Sequence, residues 1–319
     1  MIDMNKYISN VKENVWLYGL GGMGKTHLLR QAYKACQSQC DEAIWLEASD
    51  AFEKDLEKIG SNPPKFVFID CVNYKLTNRD MGHINALRYN GVLFFFTSRH
   101  LPKKCQFLNS LKIDGLDTEE AVSLFVERSG CMESDIVRSI VCSDFIAGSP
   151  LLIAHLARCI KDGTETVKDI QRKLNHPLEI TGMRECLRKL YNLSEVTFEQ
   201  RKILSELIKV IGPGEKTEAL VLNNKWGNFE ITWNIILDLA ELGWIEREND
   251  VISLNPIVWN AVKGQQQEFV YVCQCDRQTW YECGGLGRET CEYCGRYRVE
   301  DLPKDTEPGN IPGVKYAGK

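Results

Sequence analysis

One short stretch, from Gly19 to Thr26, restricts the fold of this chain more than any other. It reads Gly-Leu-Gly-Gly-Met-Gly-Lys-Thr and fits the phosphate-loop pattern G-x-x-x-x-G-K-[ST]. The apolar run Val15 to Tyr18 before it is typical of a buried strand, and residues 26–35 after it have helical spacing. A phosphate loop requires such a strand-to-helix turn, so the sequence predicts a nucleotide-binding α/β domain.

Each part of this loop has an expected chemical role. Glycines let backbone N–H groups approach phosphate oxygens, and the positive end of the following helix favours an anion. Lys25 is expected to reach the β- and γ-phosphates, and the Thr26 hydroxyl to hold Mg²⁺. The residues of this stretch predicted to contact ATP or ADP are Gly19, Gly21, Gly22, Met23, Gly24, Lys25, Thr26 and His27.

Strands and helices alternate after the loop, which favours a parallel sheet. Further strands are predicted at Ala43 to Glu47, Lys65 to Asp70 and Val92 to Phe96, with a short helix from Asp50 to Lys58. The strand before Asp70 is almost wholly apolar, as expected of a strand that is covered on both faces.

Two polar residues follow these strands at the sheet edge where open α/β sheets bind ligands. Asp70 is the candidate second anchor for Mg²⁺, with a plain turn-capping aspartate as the alternative. Arg99 is expected near the γ-phosphate, with a solvent-facing arginine as its alternative. Lys25, Asp70 and Arg99 are therefore the candidate catalytic residues.

Composition places few limits on function but some on location. The chain has 319 residues, 44% of them apolar and 26% charged, with a net charge of −5, as in ordinary globular proteins. No apolar run approaches the length of a membrane span, and the N-terminus lacks the features of a signal peptide. A cytoplasmic location is expected, where the 13 cysteines would be thiols or metal ligands.

Two further units are predicted after the P-loop domain, which is assigned to residues 1–116. Residues 117–192 have helical periodicity, and His155 on one apolar face there is interpreted as a packing residue. Residues 193–263 show two helices, 199–210 and 231–242, and then a hairpin pattern at 244–254, which together indicate a winged helix. Between residues 195 and 262 there are 11 acidic and 6 basic side chains, which argues against nucleic acid as a partner.

The order of these motifs resembles the NB-ARC branch of the STAND nucleotide-switch ATPases across residues 15–262. The loop is similar to that family's G-x-G-G-x-G-K-T. The other matching segments are Phe66 to Val72 (second kinase motif), Phe94 to Arg99 (a strand ending in a sensing arginine), Leu111 to Leu116 with Glu119 to Phe125, and Gly148 to Leu151 (the family's G-L-P-L).

The resemblance implies an ADP-bound closed form and an ATP-bound open form, in which the winged helix clamps the nucleotide. It implies that Pro150 packs near the base and that Asn255 stands where the family has a histidine on the β-phosphate. It also implies a protein partner or homo-oligomer, in signalling or defence.

The sequence departs from the family at several positions. Cys71 follows Asp70 where the family has a second acid, and a thiol is a poor general base, so slow hydrolysis is expected. Asn255 can donate a hydrogen bond but cannot become cationic. An upstream G-R-E segment that helps to hold adenine is absent from the first 14 residues.

Five cysteines in residues 264–300 suggest a zinc-binding module. Cys273, Cys275, Cys291 and Cys294 are the favoured ligands of tetrahedral Zn²⁺, with Cys283 as a substitute. The alternative is a mobile tail with incidental thiols. Residues 301–319, rich in proline, glycine and charge, are predicted to be disordered.

The sequence therefore favours a STAND-type ATP/ADP switch with weak ATPase activity and ligands ATP/ADP, Mg²⁺ and Zn²⁺. Two alternatives stay open at this point. One is an ATP-dependent, DNA-associated regulator that uses the winged helix and the zinc tail. The other is a nucleotide-binding scaffold that does not hydrolyse ATP.

Overall fold

The structure is a computed structural model that describes residues 13–38, 43–47, 56–57, 59, 63–72, 77–101, 109–218 and 229–265. It also describes two short strands at 280–282 and 289–291. Within these ranges, no helix combines the length and the apolar character needed to cross a bilayer.

A parallel sheet forms the first part of the fold, as the sequence predicts, and it has five strands, one more than predicted. Its spatial order is β2-β3-β4-β1-β5. The strands are β1 (Val15–Tyr18), β2 (Ala43–Glu47), β3 (Phe66–Asp70), β4 (Leu93–Ser98) and β5 (Asn109–Lys112), and the helices are α1 (Lys25–Gln37) and α2 (Asn78–Tyr89). Strand β4 extends two residues beyond its predicted end, and the helix predicted at 50–58 falls largely outside the described residues.

Alternate side chains of the central strands enter two different cores. Trp16, Phe94 and Phe96 pack with α2 on one face of the sheet. Val15 and Phe95 pack with α1 on the other face, in a cluster that continues into the rest of the molecule. A strand covered on both faces needs apolar side chains at every position, which explains the uninterrupted apolar runs.

Helices follow from residue 118, in agreement with the predicted periodicity. They are α3 (Thr118–Ser129), α4 (Asp135–Val141), α5 (Pro150–Lys161), α6 (Val167–Lys173) and α7 (Met183–Leu190), with 3₁₀ turns at Pro177–Glu179 and Leu193–Glu195. Side chains cap several of these helices, and the Ser149 hydroxyl, which accepts the N–H of Leu152, starts α5 beside the phosphate loop.

The described residues 198–218 and 229–265 form three helices and a small antiparallel sheet. They are α8 (Phe198–Val210), β6 (Lys216–Glu218), α9 (Phe229–Glu241), β7 (Glu246–Glu248), β8 (Val251–Ser253) and α10 (Pro256–Gln265), with the sheet order β6-β8-β7. The β7–β8 hairpin lies within the predicted range 244–254. The assignment as a winged helix stays a prediction.

The hairpin begins later than predicted because the chain first has to leave α9. Gly243 adopts a left-handed φ of 72°, and the N–H of Trp244 bonds back to the Leu239 carbonyl at 2.9 Å. This helix-ending motif buries Trp244 and Ile245 in the core before the strand starts at Glu246.

The tail contains one described pair of strands, β9 (Trp280–Glu282) and β10 (Glu289–Cys291), which pair antiparallel. The predicted ligands Cys273, Cys275, Cys283 and Cys294 lie outside the described residues, as do residues 301–319.

Candidate functional site

The phosphate loop connects β1 to α1 with free backbone donors at the helix start. Gly24 is the N-cap with a left-handed φ of 89°, no side chain caps the helix, and its first turn contains no acid. Among the described residues, no acceptor contacts the N–H groups of Met23, Gly24 or Lys25. Unpaired N–H groups at a positive helix end suit the phosphate oxygens of a nucleotide.

Lys25 lies folded back over this loop. Its Nζ donates to the carbonyl oxygens of Gly19 at 2.7 Å and Leu20 at 2.6 Å. Burial, with repulsion from Arg99 as the second cause, lowers the pKa of the Lys25 ammonium to about 8. A buried cation of this kind gains from a nearby anion, so Lys25 fits the phosphate-binding role predicted for it.

Asp70 and Thr26 are brought together across the end of the sheet. The Thr26 hydroxyl donates to Asp70 Oδ1 at 3.0 Å, and the hydroxyl of Thr97 donates to the same oxygen. Asp70 is only 5% exposed. A hydroxyl and a carboxylate are hard oxygen ligands of the type that Mg²⁺ prefers, so the pair fits this ion.

Cys71 adjoins that carboxylate in an uncommon backbone conformation. Its φ is 61°, and its N–H lies 3.1 Å from Asp70 Oδ1 and 2.9 Å from Thr97 Oγ1. Partial desolvation of the Cys71 thiol raises its pKa to about 11, and the Asp70 charge adds to this, although the residue as a whole is exposed. A neutral thiol therefore stands where the resembled family has an acid.

Arg99 lies at the predicted edge of the sheet but faces the helices. Its Nη2 donates to the Leu190 carbonyl at 2.7 Å and to Glu195 Oε2 at 2.9 Å. The guanidinium also lies over the rings of Tyr191, at 4.7 Å, and Trp244, at 5.6 Å. The solvent-facing alternative is wrong, because the Arg99 side chain is only 9% exposed.

Tyr191 is a site residue that sequence reasoning missed. Its ring is fully buried, and its Oη accepts the N–H of Gly21 at 3.1 Å. The residue follows an amphipathic helix and reads as an ordinary core position, so only the fold reveals its contact with the loop.

The start of α5 also contacts the loop. The Ser149 hydroxyl donates to the Gly22 carbonyl at 3.2 Å, and the N–H of Leu151 points to the same oxygen at 3.4 Å. A methyl group built on Gly24 would lie 3.9 Å from Pro150 Cγ. Pro150 is thus a neighbour of the loop, and its contact with a base stays a prediction.

The other predicted residues have local partners. His27 is exposed and its ring lies 3.1 Å from the Gln31 amide. Asn255 Oδ1 accepts the N–H of Ile257 at 2.9 Å at the start of α10. His155, predicted to be a packing residue, is half-buried and bonds the Thr181 carbonyl at 2.9 Å.

No zinc site is visible in the described part of the chain. No three histidine, cysteine, aspartate or glutamate side chains come together there as metal ligands. Cys291 ends β10 opposite Trp280, and the other tail cysteines fall outside the described ranges. Zinc binding stays a prediction.

Comparisons with known proteins show a likeness of fold to one Walker-type ATPase. No family model and no curated protein matches the sequence. Among solved structures, a Walker-type ATPase of Pyrococcus abyssi is similar with a TM-score of 0.56 at 12% identity, over 82% of this chain and 93% of that one.

Two weaker structural matches are a STAND protein with a tetratricopeptide-repeat sensor from Pyrococcus horikoshii and AMPPCP-bound DnaA from Aquifex aeolicus. The STAND protein has a TM-score of 0.33 at 18% identity, over 84% of this chain and 43% of that one. DnaA has a TM-score of 0.43 at 16% identity, over 75% and 86%.

Proposed function

We propose that this chain is a STAND-type ATP/ADP switch that hydrolyses ATP slowly. The observation that supports it best is the 3.0 Å contact between Thr26 Oγ1 and Asp70 Oδ1 beside free loop N–H groups. A glycine-rich turn without a ligand has no need for a buried carboxylate and a partly buried lysine at the same sheet edge. Nucleotide with Mg²⁺ is the ligand that satisfies all of these groups.

The residues of the site divide into three roles. The free N–H groups and Lys25 would hold the phosphates, and Thr26 with Asp70 would hold Mg²⁺, directly or through water. The metal, when bound, would neutralise phosphate charge. Arg99, at the boundary with the helices, would respond to that charge.

Hydrolysis is expected to be slow because the residue after Asp70 is a neutral thiol. A general base needs to accept a proton near neutral pH, and a thiol that still holds its own proton cannot do so. Cys71 therefore favours a long-lived nucleotide state, which suits a switch better than a motor. A pure scaffold would show no turnover at all.

The output of such a switch would come from a protein partner or from oligomerisation. The acidic balance of residues 195–262 disfavours the DNA-associated alternative.

We also propose that Cys273, Cys275, Cys291 and Cys294 hold one zinc ion, with Cys283 as a substitute. Elemental analysis of the purified full chain should then give one zinc per chain, and a metal-free protein would exclude it.

Nucleotide binding is tested by titrating purified, nucleotide-stripped protein with Mg-ADP and Mg-ATP by calorimetry. The wild type should bind both, and Lys25→Ala should lose at least about tenfold in affinity because one charged hydrogen bond is removed. Lys34→Ala, an exposed lysine in the last turn of the same helix, is the matched control and should bind normally. Absence of binding by the wild type would overturn the proposal.

A further inference from the structure

The segment that follows α7 holds the phosphate loop and Arg99 at the same time. Tyr191 Oη accepts the Gly21 N–H, and a methyl group built on Gly21 would lie only 3.1 Å from the Tyr191 ring. The same ring lies 4.7 Å under the Arg99 guanidinium. One buried tyrosine therefore contacts both the loop and the candidate sensing arginine.

Arg99 is held against this segment by charge as well as by ring contacts. Arg99 Nη2 donates a hydrogen bond to Glu195 Oε2 at 2.9 Å and another to the Leu190 carbonyl at 2.7 Å. Glu195 lies four residues after Tyr191. The Glu195 side chain is 46% exposed, so its ion pair is open to competition by solvent and by other anions.

Residues 229–265 are joined to the same contact. Trp244 lies 5.2 Å from the Tyr191 ring, edge to face. At the end of α10, the Gln265 amide donates to the Tyr191 carbonyl at 2.7 Å and its oxygen accepts the Leu193 N–H at 3.1 Å. A movement of Tyr191 would therefore change its contacts with Trp244, which follows α9, and with Gln265 at the end of α10.

We propose that Tyr191, together with Glu195, is the positioning element by which this site prefers a nucleoside diphosphate to a triphosphate. The inference rests on the proposed nucleotide-binding function. The Tyr191 hydroxyl accepts the Gly21 N–H of the loop. Glu195 pairs with the Arg99 guanidinium, which a third phosphate would attract. A diphosphate leaves both contacts in place, whereas a triphosphate competes with them.

The competition also explains how phosphate occupancy would reach the rest of the chain. A guanidinium drawn toward phosphate has to leave Glu195 and the Leu190 carbonyl, because the same nitrogen makes both bonds. Residues 190–195 then lose these two bonds to Arg99, and Trp244 loses a cation above its ring. The packing of residues 229–265 against this segment is weakened as a result.

The first test is Tyr191→Phe, which keeps the ring and removes only the hydroxyl. Affinities for Mg-ADP and for a non-hydrolysable Mg-ATP analogue are measured by calorimetry. The ratio of triphosphate to diphosphate affinity should rise about three- to tenfold, the effect of one hydrogen bond. Tyr33→Phe, whose hydroxyl bonds Gln37 on α1, is the matched control and should leave the ratio unchanged.

The second test avoids the buried ring. Glu195→Gln removes the exposed charge that holds Arg99 and should shift the ratio in the same direction, while Glu206→Gln, which removes the Lys209 partner on α8, should not. In addition, the triphosphate analogue should change the tryptophan fluorescence more than ADP does. The part of this change that comes from Trp244 should be absent in Trp244→Phe.

The outcomes separate this inference from the proposed function. If the wild type binds both nucleotides but neither Tyr191→Phe nor Glu195→Gln changes the affinity ratio, the positioning role is wrong and the site remains. If the wild type binds neither nucleotide, the proposed function itself fails. If Tyr191→Phe does not fold, the affinity ratio of Glu195→Gln alone tests the positioning role.

Discussion

The hydroxyl of Thr26 lies 3.0 Å from the carboxylate of Asp70, although 44 residues separate them in the chain. Parallel pairing of β3 with β4, and of β4 with β1, produces this contact, because it brings the carboxyl ends of the three strands to one edge. The loop and the carboxylate thus meet through topology alone. Their chemistry makes magnesium dependence the first property to test.

Replacement of Asp70 by asparagine should remove most of the effect of Mg²⁺ on nucleotide affinity. The amide oxygen can still accept from Thr26 and Thr97, so the fold is expected to persist, but a neutral ligand holds Mg²⁺ weakly. With Mg²⁺ present, Asp70→Asn should bind ATP about tenfold or more weakly than the wild type. With Mg²⁺ removed by EDTA, the two proteins should bind ATP with nearly equal affinity. The exposed Asp114→Asn is the control; an equal loss in both conditions would contradict a metal role.

Nucleotide affinity should fall as the pH rises above about 8. Burial lowers the pKa of Lys25 to about 8, so about half of the free protein has lost this charge at that pH. A bound anion favours the ammonium and raises its pKa again, and binding near pH 8 to 9 should therefore take up as much as about one proton. Calorimetry in buffers of different ionisation enthalpy measures this uptake.

A permanently charged residue at the same position provides the comparison. Lys25→Arg should bind nucleotide more weakly than the wild type at pH 7, because the planar guanidinium differs in shape from the ammonium group. Its nucleotide affinity should nevertheless not change with pH up to about pH 9.5. An equally steep pH profile in this variant would show that another group titrates.

Restoring an acid after Asp70 should accelerate hydrolysis. The Cys71 thiol, with its pKa raised to about 11, holds its proton at neutral pH, whereas an aspartate there could accept one. Cys71→Asp should raise single-turnover ATP hydrolysis by about tenfold or more, in the range of general-base catalysis. Cys71→Asn is the control, since aspartate and asparagine both tolerate the φ of 61° found here. Equal rates in the two variants would contradict a base at this position.

The sequence predicts the parts of this site that follow local patterns. The phosphate loop, β3 and Asp70 are found where glycine spacing and apolar runs place them. The sequence does not predict strand β5, because Asn109 to Lys112 contains one apolar residue and lies largely exposed at the sheet edge, so it has no periodic signal.

Contacts between distant units could not be predicted from such patterns. Arg99 was expected at the sheet edge, but its ion pair with Glu195 joins residues 96 positions apart and depends on how the helices pack. Tyr191 and Trp244 each have the composition of ordinary core residues. Their meeting at Arg99 is a property of the tertiary fold, and its consequences are open to steric as well as electrostatic tests.

The close approach of Gly243 to Arg99 offers a steric test of the same contact. A methyl group built on Gly243 would lie 2.6 Å from Arg99 Cβ, while one on Gly130 would meet nothing within 4 Å, and the two glycines have nearly equal φ values of 72° and 73°. Gly130→Ala should therefore cost only the backbone strain of about 1–2 kcal/mol. Gly243→Ala should lower the free energy of unfolding by more, as measured in urea, because Arg99 or the end of α9 has to move.

The same pair of variants connects stability to ligand choice. Displacement of Arg99 from Glu195 in Gly243→Ala should raise the ratio of triphosphate to diphosphate affinity, as Glu195→Gln does, whereas Gly130→Ala should not alter it. If Gly243→Ala and Gly130→Ala lose equal stability and keep equal affinity ratios, the turn after α9 does not position Arg99. In that case the contacts of Arg99 with residues 190–195 do not depend on this turn, and residues 229–265 do not respond to the phosphate site through Gly243.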